Sequence, residues 1–214
     1  MSLRAGPGLT GMTTPGTTSA ETTLLDLHPP AATAARLAAT VGDADLDRPT
    51  PCQITVRQLL AHLLGLAEAF TDAAAKVDGP TTRTAPAPDS LDLPPDWRAR
   101  VPGHLDALAA AWRAPEAWTG LAVAGGVEMP AAVMGLVAND ELVLHGWDLA
   151  VATGQPFAVD PANLEAAWQL VRQTPDDPAA REGLFGPVHP VPADAPLLDR
   201  VLGGAGRDPR WSPA

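Results

Sequence analysis

Glu141, His145 and Asp148 stand in the run NDELVLHGWDLAVATG (residues 139–154), among Leu, Val and Ala. A carboxylate and an imidazole four residues apart on a helix reach one point in space. That pairing suits a divalent ion such as Zn²⁺, and a third protein ligand would leave one coordination position open for chemistry. On a helical wheel the three side chains fall within an arc of roughly 60°. Val137 and Leu144 border it on one side, Leu142 and Leu149 on the other, and Met134 and Ala152 continue its line. Charged groups inside an apolar surface are costly unless satisfied. The candidates are a metal ion, a local salt-bridge network or water. Asp148 fits best as an acceptor that orients His145. Asn139 and Asp140 point away from the arc and are expected toward solvent.

A third ligand has to come from elsewhere in the chain. The histidines are His28, His62, His104, His145 and His189. His62, in LLAHLLG, sits at the edge of an apolar arc beside Leu59 and Leu66. His104 flanks an apolar stripe in a similar way, and a histidine at such a boundary is more often locally hydrogen-bonded than a ligand. His28 and His189 lie beside prolines in expected loops. Periodicity does not choose between His62 and His104.

The elements that must position these residues are mostly helical. Leu24–Val41 reads as a helix whose start Pro29 and Pro30 delay. Thr55 and Gln58 form a capping box for a helix running to about Val77, with Gly79-Pro80 as its stop. Residues 79–95 read as a Pro-rich surface linker. Trp97, Val101, Leu105, Leu108 and Trp112 form a helical stripe within a helix expected over Pro94–Trp112. AWTGLAVAGGVEMP, broken at Gly125-Gly126, is a small hairpin or a crossing loop. Further helices are expected from Pro130, in the first turn, to Ala152 with Gly154 as the stop, over Pro161–Gln173, and briefly over Pro196–Leu202. Residues 1–22 read as a disordered tail, 23–214 as one helical domain, and about 174–214 as its irregular, Pro-rich extension. The fold class expected is an all-α bundle.

Composition removes several function classes. There are 25 acidic and 14 basic residues in the 214-residue chain, a net charge of −11. That excludes a basic nucleic-acid footprint and argues against docking on anionic lipid. No run has the length of a membrane span or of a signal-peptide core. A soluble, cytoplasmic protein is expected, and its apolar faces allow a homodimer. Cys52 is the single cysteine, so no internal disulfide forms. With no cationic neighbour evident in the sequence, it reads as a small buried hydrophobe. Trp147 reads as a packing residue.

TPCQITVRQLLAHLLG (50–65), the E-x-x-x-H-G-W-D segment (141–148) and the tail FGPVHPVPADAPLLDRVLGGAGRDP (185–209) are familiar together. Over Leu24–Pro209 the chain resembles the DinB-like superfamily. Within it, the match is to the actinobacterial branch related to the N-terminal domain of mycothiol-dependent maleylpyruvate isomerase. The resemblance implies a DinB-like four-helix bundle with a divalent metal near one end. Its ligands would be His62, Glu141 and His145, with Asp148 behind His145. The ion implied is zinc, or nickel. The resemblance also implies a metal-dependent S-transferase or isomerase acting with a low-molecular-weight thiol such as mycothiol on a small electrophile. Two alternatives use the same residues. One is a non-catalytic metal-binding or structural bundle. The other is a metal-assisted hydrolase, for which Asp148 is the only general base at hand.

Overall fold

Local sequence chemistry sets the helix ends. The computed structural model describes residues 24–84, 92–181 and 183–213. The expected tail over 1–22 lies outside them. Helix α1 spans His28–Ala39, with its prolines in the first turn, where a missing N–H costs nothing. Helix α2 spans Val56–Ala74 behind the expected capping box. The Gln58 N–H donates to Thr55 Oγ1 at 3.2 Å, and the Thr55 N–H donates to Gln58 Oε1 at 2.9 Å. It ends three residues before Val77, because Lys76 enters the left-handed region (φ 56°) and its ammonium donates to Ala117 O at 2.9 Å.

The expected linker is partly structured. Pro80–Arg83 form a short helix, α3; residues 85–91 lie outside the described chain. Helix α4, Trp97–Ala111, buries Trp97, Val101, Leu105 and Leu108, and Trp112 caps it, as the stripe predicts. The Gly125-Gly126 pair makes a hairpin. Strands β1 (Leu121–Ala124) and β2 (Val127–Pro130) pair antiparallel, with Ala122 opposite Met129. Both glycines have positive φ (58° and 82°), which a two-residue turn of this kind requires. The Gly126 N–H donates to Thr82 O at 2.7 Å and ties the hairpin tip to α3.

Helix α5, Ala131–Thr153, follows directly, with Pro130 as its N-cap rather than within its first turn. Gly154 (φ 71°) ends it. Helix α6 is Pro161–Val171, α7 is Pro178–Arg181 and α8 is Leu197–Gly204. The four long helices close a ring: α1 and α2 each pack against both α4 and α5. The fold is all-α and DinB-like, with one small hairpin.

One expectation about α5 fails. Asn139 and Asp140 do not face water; they are 0 % and 2 % exposed. The wheel locates a polar side but cannot tell solvent from a second partner. Here α6 covers that side, and α8 packs on α6. Asn139 and Asn163 exchange amide hydrogen bonds, Nδ2 to Asn163 O at 3.0 Å and Asn163 Nδ2 to Asn139 Oδ1 at 2.8 Å. The Pro-rich extension therefore contributes a second apolar cluster in which Trp147, Val171, Phe185 and Leu202 are buried. Trp147 packs there, as expected. No helix among the described residues is long and apolar enough to cross a membrane.

Gly135 lets α5 pass two tryptophans. A Cβ there would lie 2.7 Å from Trp118 Cη2 and 2.8 Å from Trp112 Cζ3. Those rings cannot easily retreat: Trp112 Nε1 donates to Phe70 O (3.0 Å) and Trp118 Nε1 to Trp112 O (2.7 Å). Gly→Ala inside a helix ordinarily gains about 1 kcal/mol. At this position overpacking, at about 1–3 kcal/mol, outweighs that gain. Gly135→Ala is expected to lower the midpoint of urea unfolding, and an unchanged or raised midpoint would refute the assignment.

Candidate metal centre

Helix α2 supplies His62, and α5 supplies Glu141 and His145. One donor atom from each lies within 4.8 Å of the other two. His145 Nε2 is 3.0 Å from Glu141 Oε2, and the His62 and His145 rings meet edge-on with centroids 5.0 Å apart. Donors about 2.0–2.1 Å from a tetrahedral ion stand about 3.3 Å from one another. The set therefore fits a zinc-sized ion with small side-chain adjustments. The other candidate, His104, is elsewhere: its Nε2 meets Glu68 Oε1 at 3.0 Å and its Nδ1 meets Arg100 O at 2.8 Å. His28 is exposed, and His189 pairs with Asp208 at 3.4 Å.

The second ring nitrogen of His145 is also held. Nδ1 lies 3.0 Å from Asp148 Oδ2, the orienting contact expected of Asp148. Asp148 is fully buried and also meets Arg207, with Nη2 3.1 Å from Oδ2 and Nε 3.4 Å from Oδ1. Burial works against the charged form of each group, and their mutual contacts outweigh it. Burial would raise the Asp148 carboxyl, but the Arg207 charge and the His145 hydrogen bond hold it below its ordinary value. Glu141 is likewise held low, chiefly by His145. Burial would lower His145, yet Asp148, Cys52 and Glu141 push it well above its ordinary value. Asp140, beside them, is pushed well up by burial and by the Glu141 charge.

Arg207 is the residue that sequence reasoning missed. It belongs to the segment expected to be an irregular extension, yet it reaches the bundle and is only 9 % exposed. The run GGAG before it is the available signal. Gly206 has φ 86°, and a Cβ there would lie 2.8 Å from the backbone of Gly186. The turn that aims Arg207 inward is therefore closed to larger residues. Cys52 packs against the bundle core, as expected, but it is only half-buried, beside the Thr50 hydroxyl (3.2 Å), and His145 and Arg207 are its cationic neighbours.

A second donor group, Cys52, His145 and Asp148, also lies within 4.8 Å. Its carboxylate is already compensated by Arg207. The His62–Glu141–His145 group opens instead on a cavity of about 680 Å³. Leu66, Phe70, Met129, Met134, Val137 and Leu184 form much of its wall.

Residues 27–150 match the family described as the mycothiol maleylpyruvate isomerase N-terminal domain. The chain belongs to that family. Two uncharacterized proteins, from two strains of Mycobacterium tuberculosis, are 31 % identical to it over 187 residues, covering 82 % of this chain and 92 % of theirs. Two crystal structures of the mycothiol-dependent maleylpyruvate isomerase, one of a point mutant, share the fold. Each has a TM-score of 0.59, with 18 % and 19 % identity, over 85 % of this chain and 86 % of theirs.

Removing Arg207 takes from buried Asp148 one of its two cationic partners, leaving only His145, a change that costs up to about 3–5 kcal/mol. Arg207→Met is expected to destabilise the protein by that order in urea unfolding at pH 7. Asp148 is depressed when folded, so its stabilisation is present above the ordinary carboxylate value, about 3.9, and is lost as pH falls through the depressed value. The gap between wild type and variant should therefore narrow below about pH 4. A gap independent of pH would contradict the pairing.

Proposed function

We propose that this chain binds a divalent metal, zinc by its donor set, through His62, Glu141 and His145. It would use that site as a thiol-dependent S-transferase or isomerase, with mycothiol as the thiol. The observation that carries this reading is that three donors from two helices converge at an apolar cavity. A His₂Glu set with an open position is a recognised catalytic arrangement, whereas a structural zinc is closed by a fourth protein ligand. Bound there, such an ion would hold a thiol sulfur as thiolate at neutral pH. Membership of the family, and the name of its mycothiol-dependent relative, support the choice of thiol.

The chain's own residues have definite parts in this reading. Asp148, braced by Arg207, fixes the tautomer and angle of His145. Glu141 supplies the anionic donor. The walls built by Phe70, Met134 and Leu144 keep water from the sulfur, which strengthens the electrostatics around it. Metal-assisted hydrolysis is weaker. Its only candidate base, Asp148, is 0 % exposed and already engaged by His145 and Arg207.

Elemental analysis of protein purified without added metal tests the site. About one equivalent of zinc or nickel per chain is expected, falling to background in His62→Ala and His145→Ala with helical circular dichroism retained. Added zinc at a free concentration of 100 Kd should stabilise the fold by about 2.7 kcal/mol. Because His145 must lose a proton to ligate, the affinity should fall as pH drops. Absence of metal from wild type, with no thermal shift on adding zinc, would end the proposal. Mycothiol consumption with a panel of electrophiles then separates enzyme from binder.

A further inference from the structure

The cavity at the donor site has an unusual lining for a site that would take a charged substrate. Among the described residues, only His62, Glu141, His145 and Arg207 bring polar side chains to it. The first three are the donors. Arg207 is spent on Asp148 and on the carbonyl of Ala205, which its Nη1 meets at 3.1 Å. No other described lysine or arginine lines the space. Glu141 and a thiolate together would cancel a divalent charge, so among the described residues nothing remains to pair with a substrate carboxylate. An unpaired carboxylate in such surroundings is strongly disfavoured. The net charge of −11 also repels anions at a distance.

The apolar character continues to the surface. Val127 on the hairpin is 55 % exposed and Val133 at the start of α5 is 38 % exposed; both line the cavity. Met129 and Val137 connect this rim to the interior. Isolated exposed valines carry no meaning, but a rim continuous with a deep apolar wall marks a ligand site.

We infer that the cavity takes an uncharged, apolar substrate with an alkyl or aryl body, and that this is the electrophile of the thiol reaction. The second half rests on the thiol-transfer reading above. A conjugated enone satisfies the chemistry. Sulfur forms a C–S bond at the β-carbon, and the π pair moves toward the carbonyl oxygen. The proton released when the thiol ionised returns, by way of solvent, to the α-carbon. No leaving group departs, and no oxidant or reductant is needed.

The test separates binding from turnover. Zinc-loaded full-length protein is titrated calorimetrically with pentan-2-one, heptan-2-one and nonan-2-one, which cannot react, and with maleate. Each added methylene should tighten binding about fourfold, so the four methylenes from pentan-2-one to nonan-2-one should span roughly 250-fold. Maleate should bind more weakly than nonan-2-one. Val133→Asp, at the rim, should weaken nonan-2-one at least tenfold while zinc content is unchanged. The matching enones should show the same trend in kcat/KM for mycothiol consumption. A flat ketone series, or tighter binding of maleate, overturns the inference even if thiol is consumed. A steep ketone series with no thiol consumed for any electrophile upholds the apolar ligand and overturns both its role as electrophile and the thiol-transfer reading.

Discussion

The structure depends on keeping a line of buried charges in balance. Glu141, His145, Asp148 and Arg207 follow one another at distances of about 3 Å, from the cavity wall at Glu141 into an interior where water screens them weakly. Each contact offsets the cost of burying the next group. Neither His145 nitrogen is free to turn, because a carboxylate holds each one. A ligand-bearing imidazole is useful only when its rotation is fixed. The same contacts that stabilise the buried charges therefore orient the site.

This requirement explains why α5 departs from the usual amphipathic pattern. Most of its length is buried, since α1 and α2 cover one side and α6 another. A helix in that position can keep polar residues only where another element answers them. Asn163 answers Asn139, and Arg207 answers Asp148. The C-terminal segment is thus part of the site's construction. Arg181 reinforces it from below, donating to Gly186 O (2.8 Å) and to Gly204 O, which fixes the loop and helix from which Arg207 emerges. A buried polar network of this kind is stabilising only when every member is satisfied. Asp140 is the exception: its Oδ1 has no hydrogen-bond partner among the described residues. Burial there favours the neutral acid.

What could be read in advance follows from how local each signal is. The Thr55–Gln58 cap, the stripe on α4 and the i, i+4 pair on α5 involve neighbours in sequence, and all three are where the residues imply; the paired glycines left a hairpin or a crossing loop open, and the structure makes the hairpin. The third donor is different. Whether His62 or His104 meets α5 depends on how α2 and α4 are rotated in the ring, which no single helix encodes. Family resemblance pointed to His62, and the structure brings that ring to His145 while His104 pairs with Glu68. Arg207 was illegible for the same reason. Its partner is 59 residues away, and only the glycine run hinted at a tight turn. Asn139 and Asp140 misled because polarity on a wheel marks the need for a partner, and that partner need not be water.

The donors come from two helices, whereas the walls of the cavity draw on those helices and on other parts of the fold as well. The donors stand on α2 and α5, in the ring of long helices, where packing leaves little freedom. Much of the rest of the wall comes from the hairpin and from the segment around α7: Val127, Met129, Ala180 and Leu184. The hairpin packs on both donor helices and leads directly into α5, and Arg181 of α7 braces the loop that carries Arg207. A shared fold at 18–19 % identity constrains the arrangement of helices far more than it constrains what the cavity accepts. Among the described residues the wall is mostly hydrocarbon, with a single arginine that is already paired, and that chemistry is what a ligand in the cavity would meet.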